Sequence, residues 1–446
     1  MDATDPRVPY LEDFESLGRE VFGDDPAWLR DLRRKAIARF QEVGFPTLKT
    51  EAWKYTNLTP ITRSRFRPAA LVAGDGLPPD RLEPVMFGKF EGSELVFVNG
   101  RSSRPRIVRG LPEGVRVGSL AQALREEPAA VEPFLARHAG LDGNPFTALN
   151  TAFLQDGAFI HVPKGAVVEK PIHLLFVSTA QDEPAVAYPR NLIVVEDGGQ
   201  VTVTESYAGL DNGVYFTNAV TEAVLGEGAV LDHYKLQRES ERAFHVGGLQ
   251  IVQGRASNAS DTSIALGGGL VRNDVNQRFT AEGGELAMNG LYAVTGQQHV
   301  DNHTRIEHET PRCTSRELYK GILDGRSRGV FYGNIVVHKG AQKTNAVQTN
   351  KNLLLSKEAL VDSIPGLQIY ANDVKCKHGS STGQIDEDAV FYLRSRGIDL
   401  ETARSILTYA FAREVVDLIR VPAMRSTLGV LLLSRLPNSD AVREAL

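Results

Sequence analysis

The stretch NLIVVEDGGQVTVTES, residues 191–206, sets an apolar β-branched run against an alternating one, with an Asp-Gly-Gly corner between them. The first half suits a strand buried on both faces. The second places its side chains alternately to either side. An acidic residue followed by glycine suits a tight corner. The corner recurs: Asp197-Gly198-Gly199, Glu227-Gly228-Ala229 and Glu282-Gly283-Gly284 stand 30 and then 55 residues apart, the second interval close to twice the first. Similar strand-like runs fill residues 150–380, among them FIHVPKGAVV, PIHLLFVST, GLQIVQG and NIVVHKG, and no convincing helical period interrupts them. A single sandwich of that length would be large, whereas a solenoid grows by adding coils. The expected fold is mainly β, with a parallel β-helix core over residues 146–383.

On the amino-terminal side, residues 1–145 read as mixed and helical. Asp25 is the expected N-cap of a helix with Pro26 in its first turn, Leu29, Leu32, Ala36, Phe40 and Val43 on one face, and Gly44 as its stop. The aromatic and basic segment FPTLKTEAWKYTNL, residues 45–58, reads as a packed loop. A strand follows in ELVFVNG, then a helix start at Ser119 with Gln122 as capping partner, and a short helix between Ala129 and Ala139. On the carboxy-terminal side, residues 384–446 read as helices capped by Asp386 and Asp399. Ala403, Ile406, Leu407, Ala410, Phe411, Val415, Leu418 and Ile419 form an apolar face, which suits docking either on the chain's own body or on a partner.

The formal net charge of -5 over 446 residues gives no electrostatic case for nucleic acid or an anionic membrane. The first residues lack the apolar stretch of a signal peptide, and no apolar run is long enough to span a bilayer, so a cytoplasmic protein is expected. That also speaks against a secreted, carbohydrate-active β-helix enzyme. No Walker A pattern is present. Residues 379–383, GSSTG, match the G-x-S-x-G nucleophile elbow between a strand and a helix, but no histidine follows His378 to complete a hydrolase order. His303 and His308, five apart, fall on opposite faces of a strand and make no metal pair.

Residues 365–383, PGLQIYANDVKCKHGSSTG, hold one of the two cysteines beside a histidine. If 367–378 is one strand, Val374, Cys376 and His378 share a face while Asp373, Lys375 and Lys377 take the other. A thiol and an imidazole so placed suit metal or sulfur chemistry, and a buried structural cysteine is the plainer alternative. Two ligands do not complete a four-coordinate site. Lys375 and Lys377 would favour a thiolate, weakly from the opposite face.

The run PGLQIYANDVKCKHGSSTGQIDEDAVFYLRSRGI, the upstream GVFYGNIVVHKGAQKTNAVQTNKNLLLS, HVPKGAVVEKPI and EAWKYTNL together resemble the SufD family of iron–sulfur cluster assembly proteins, over nearly the whole chain. The resemblance implies a right-handed parallel β-helix flanked by helices, and a non-enzymatic scaffold in complex with the paralogous SufB and the ATPase SufC. It implies a SufC contact on residues 386–420, with Phe391, Tyr392, Ile406, Tyr409, Ala410 and Phe411 as candidates, and a SufB contact along the β-helix, where His378 faces a SufB cysteine. His378 is then a transient metal ligand and Cys376 a second interface candidate, the remaining ligands coming from another chain. No tightly bound cofactor is implied for this chain alone, only a transient Fe–S cluster or iron in the complex. The isolated chain could pair as a homodimer through the β-helix. Asn372-Asp373-Val374 stands where the family commonly has Asp-Asp-Val, and Lys377-His378 where it often has Ser-His. A SufB-like scaffold that itself holds the nascent cluster is the alternative, against which stands the lack of an amino-terminal cysteine cluster.

Overall fold

A computed structural model describes residues 5–70 and 76–445. From Ala158 onward the chain passes back and forth between two sheets, and from Arg190 onward each strand that has a successor in its sheet lies parallel to the strand two places later. One sheet runs from Ala158–Val162 to Leu360–Ile369, the other from Ile172–Ser178 to Lys375–Gly383. Parallel neighbours need a long crossover. Here the crossover is the strand of the opposite sheet, which makes a β-solenoid of about 8 turns.

The corners set the register. Gly165, Gly198, Gly228, Ala256, Gly283, Arg312 and Lys343 all have positive φ, between 51° and 78°. Each donates its N–H to a carbonyl in the following coil, from Gly165 to Asp197 (2.9 Å) through Lys343 to Asp373 (2.7 Å). The 55-residue interval in the sequence therefore hides one corner at Ala256, and the last two corners carry Arg312 and Lys343 in a conformation that costs a side chain roughly 1 kcal/mol or more. Ion pairs climb the same edge: Lys164–Asp197, Glu227–Arg255, Glu282–Arg312 and Lys343–Asp373. They are exposed and contribute little apiece.

The amino-terminal region closes the first coils. Its helix begins at Ala27, with Pro26 itself as N-cap and Asp25 turned to Arg33 at 2.7 Å. Leu29, Ala36 and Phe40 are buried as expected, but Val43 is exposed and Leu32 half-buried. The expected helix between Ala129 and Ala139 is a single turn, Pro128–Val131. A helix that the sequence did not announce, Pro145–Phe153, opens the stretch expected to be strand; Asn144 caps it by accepting from Phe146 N. From Phe146 to Phe153 it is buried, and its Asn150 amide donates to Pro189 O and Asn218 O inside the fold. The ELVFVNG strand, Ser93–Val98, pairs in parallel with Ile172–Ser178 and so extends the stack. EAWKYTNL is a packed loop. Arg272 lies 4.3 Å over the Trp53 ring and donates to Ala52 O and to Asp301, which also takes the Thr56 hydroxyl.

The carboxy-terminal helices Glu387–Ser395 and Leu400–Val416 are capped by Asp386 and Asp399 as expected. Tyr409, Ala412, Val415, Val416 and Ile419 pack on Tyr234, Leu236, Ile264 and Leu291 of the second sheet. No helix among the described residues is long and apolar enough to cross a membrane.

Candidate functional site

The stack stops at Lys375–Gly383, and the site is what that stop leaves uncovered. Residues 365–383 are not one strand. Leu360–Ile369 ends one sheet, residues 370–374 turn the corner, and Lys375–Gly383 ends the other. In the register with Asn345–Leu354, Cys376 lies beside Ala346, His378 beside Gln348, Ser380 beside Asn350 and Thr382 beside Asn352. Those four partners are buried. Cys376 and His378 therefore share a face, as the alternation predicted, and that face is the inward one, but in a coil with nothing stacked on it. His378 is exposed and Cys376 is half-buried. The same last coil exposes Leu360 (60% exposed), Tyr370 (64% exposed) and Ile369, apolar side chains on an unpaired strand edge.

The two donors differ in state. Cys376 packs against the end of the solenoid core, and burial pushes its thiol up, opposed by a hydrogen bond with the Ala346 backbone. Any weak pull of Lys375 and Lys377 toward a thiolate is thus met in the free chain by desolvation, which favours the thiol. The site also holds no complete ligand set: among the described residues no three His, Cys, Asp or Glu side chains are grouped to hold a metal. One imidazole and one thiol fit a site finished from outside the chain.

Other sequence candidates fall elsewhere. GSSTG continues the last strand, so no elbow forms, and the Ser380 hydroxyl bonds Ser363 at 2.7 Å. His303 stacks on Tyr332 and pairs with Asp301, while His308 points inward to Ser315, on the opposite face. Cys313 is buried.

Of the proposed docking residues, Phe391 (73% exposed) and Tyr392 (57% exposed) stand in solvent, and Ala410 is exposed. Ile406 and Phe411 are half-buried against the chain's own sheet, with the Lys320 ammonium 3.7 Å over the Phe411 ring and paired with Glu414 at 2.6 Å. Tyr409, expected at the docking surface, is instead 8% exposed and belongs to the helix face that covers the second sheet.

A polar interior went unread. Glu205, His233, Asp261, Glu317 and Gln348 are buried inside the coils. Burial pushes His233 down, but the Asp261 and Glu205 carboxylates at 2.7 and 3.2 Å override it and raise it to about 9. Burial raises Glu317 to about 7. The signal is polar residues at inward registers, as in SRELYK, and it needs the corner column before inside and outside can be told apart.

Residues 176–411 match the family described as SUF system FeS cluster assembly, SufBD core domain, and residues 5–174 match the SufBD protein N-terminal region. An iron-sulfur cluster assembly SufBD family protein of Synechocystis sp. is 33% identical, over 92% of this chain and 91% of its own length. The iron-sulfur cluster assembly protein SufD of Escherichia coli is 31% identical, over 90% and 92%. The chloroplastic protein ABCI7 of Arabidopsis thaliana is 32% identical, over 87% and 82%. With both regions matched in order and relatives aligned nearly end to end, the chain belongs to the SufBD family of iron–sulfur cluster assembly proteins.

Proposed function

We propose that the chain is the SufD-type scaffold of an assembly complex, pairing through its bare last coil with a SufB homologue and holding a SufC-type ATPase on its carboxy-terminal helices. The observation that carries this reading is the unfinished end. His378 and Cys376 sit at inward positions that are covered in every earlier coil, and the same last coil exposes Leu360, Ile369 and Tyr370. A second β-helix end laid against it would bury those side chains and bring in the missing ligands. The nascent cluster is cargo at this junction, with His378 as one transient ligand to iron and Cys376 as a second interface group. The thiol becomes a ligand only as a thiolate, so its protonated state in the free chain suits a site that forms on assembly. Without a partner, two copies of the chain could cover each other's ends. ATP-driven motion would enter through the helix Glu387–Ser395, whose Phe391 and Tyr392 face solvent, and pass to the last strand, from which it is separated by only residues 384–386.

The experiment is His378→Ala in the co-purified complex. Composition should be retained and cluster assembly lowered; assembly at the wild-type rate sinks the role given to His378. Anaerobic reconstitution of the isolated chain addresses the SufB-like alternative, since a stable cluster chromophore on this chain alone would favour it.

A further inference from the structure

Most buried polar groups find a partner, and those that do not call for a water or ion. Among the described residues, buried atoms inside the coils that lack one include Asp261 Oδ2, Asn302 Nδ2, Thr304 Oγ1, Glu317 Oε1, Tyr319 OH and Gln348 Oε1. They are not scattered. Asp261, Met288, Glu317, Gln348 and His378 occupy successive rungs of one inward column. Thr304, on the opposite sheet, is within hydrogen-bonding reach of Glu317, and Tyr319, in the neighbouring column, is near enough to feel the charges of Asp261 and Glu317. Side chains span the interior where the facing backbone is bare. The Gln348 amide nitrogen comes within 2.3 Å of where a Cβ on Gly333 would stand, and the Tyr319 ring lies over Gly290. At the inner end a cavity of about 20 Å³, lined by Thr221, His233, Lys235, Asp261 and Asn273 among others, has room for one water and polar partners to hold it. At the outer end the column reaches solvent at exposed His378.

We propose that a file of water molecules fills this seam between Asp261 and Gln348 and carries protons between the buried Glu317 carboxyl and solvent at the open end. A proton leaving Glu317 passes to the adjacent water, which releases another to the next. The net products are the Glu317 carboxylate and a proton in solvent beside His378. Asp261, Tyr319, Thr304 and Gln348 supply the hydrogen bonds that hold the file. An aliphatic side chain at any of these positions would interrupt it.

Infrared spectroscopy of the isolated full chain tests this without partner or cluster, so its outcome is independent of the role given to His378. The carboxylic acid band of Glu317 is identified by its absence from Glu317→Gln, at a pH where the fold is intact. On transfer to D₂O the wild-type band should shift within the mixing time, and Gln348→Leu should slow the shift by roughly tenfold or more, toward the rate set by opening of the fold. Thr304→Val, which keeps the side-chain shape, serves the same purpose if Gln348→Leu does not fold. A wild-type band that shifts only as fast as the protein unfolds, a plugged variant that exchanges at the wild-type rate, or no band assignable to Glu317 would each overturn the proposal.

Discussion

The two ends of the solenoid are built to opposite rules. At the amino-terminal end the helix Pro145–Phe153 and the strand Ser93–Val98 cover the first coils, and a buried charge there is paired. Arg190 and Glu222 pair at 2.5 Å with no exposure, Arg190 also donates to Asn150 and Thr151, and Glu222 accepts backbone N–H groups from Ala136, His138 and Ala139. At the carboxy-terminal end the inward positions of the last coil face water, and apolar side chains lie on an unpaired edge. One end is finished by its own chain; the other is shaped like a coil awaiting its neighbour. In a parallel stack each coil covers the one before it, so an end left bare keeps an unpaired strand edge on which a further coil would stack.

The largest effects are expected where the finished end is broken. Glu222→Ala leaves the Arg190 guanidinium buried without its countercharge and frees three backbone N–H groups, so chemical denaturation should report a loss of about 3–5 kcal/mol. A loss under about 1 kcal/mol would mean that the amino-terminal region is not clamped through this residue.

The buried His233 cluster, part-way along the stack, should give a pH signature. His233 is raised to about 9, so its contribution is whole below its ordinary value of 6.5 and lost as pH rises toward 9. Burial pushes Glu205 up, but His233, Thr221 and Tyr207 override it and hold it at about 2, so its contribution is present above 4.5 and lost as pH falls toward 2. Counted once for the pair, about 3 kcal/mol should fade on each side of a plateau between those ordinary values. Denaturation midpoints across pH test it, and His233→Gln should flatten the alkaline limb. An unchanged limb in that variant would assign the loss to other groups.

The finished end and the bare end were not equally legible in the sequence. Coil spacing could be read from Gly198, Gly228 and Gly283 because glycine marks a corner, and the corner at Ala256 could not, since alanine there carries the same φ without the signal. The caps Asp386 and Asp399 are local chemistry and were read directly. The helix Pro145–Phe153 was missed because it is buried nearly all round, which removes the polar face that a helical period needs. The pairing of Cys376 with His378 on one face followed from strand alternation alone, although the strand begins only at Lys375. That the pair is uncovered depends on where the stack ends, and that Tyr409 is covered depends on which helix face meets the sheet; both are tertiary facts.

Glu317 lies nearer the bare end and should behave in the opposite sense to Glu222. Burial raises it to about 7 from an ordinary 4.5, so the unfolded chain ionises first and the folded state loses stability as pH rises between those values. Glu317→Gln removes that penalty. The variant should match wild type in acid and gain about 1–3 kcal/mol by neutral pH. A destabilised variant at neutral pH would mean that the carboxylate is paired in the fold.

The smallest effect on the chain itself is expected at the bare end, and there it is the most informative. Leu360→Asp and Tyr370→Asp place charge on side chains that are already in water, so the isolated chain should keep its stability within about 0.5 kcal/mol. The same charges would be buried unpaired if a second solenoid end covered that edge, which costs several kcal/mol and should abolish pairing with a SufB homologue and any self-association of the isolated chain. Sedimentation and co-purification read both. Phe391→Asp, on the exposed face of Glu387–Ser395, is the control at a distance: it should release the ATPase and leave pairing at the edge intact. Full pairing by the edge variants would place the partner contact elsewhere on the solenoid, and loss of stability in the isolated chain would show that the last coil is already covered by its own residues. Only the combination of an unperturbed chain and a lost partner fits an end left open for another protein to close.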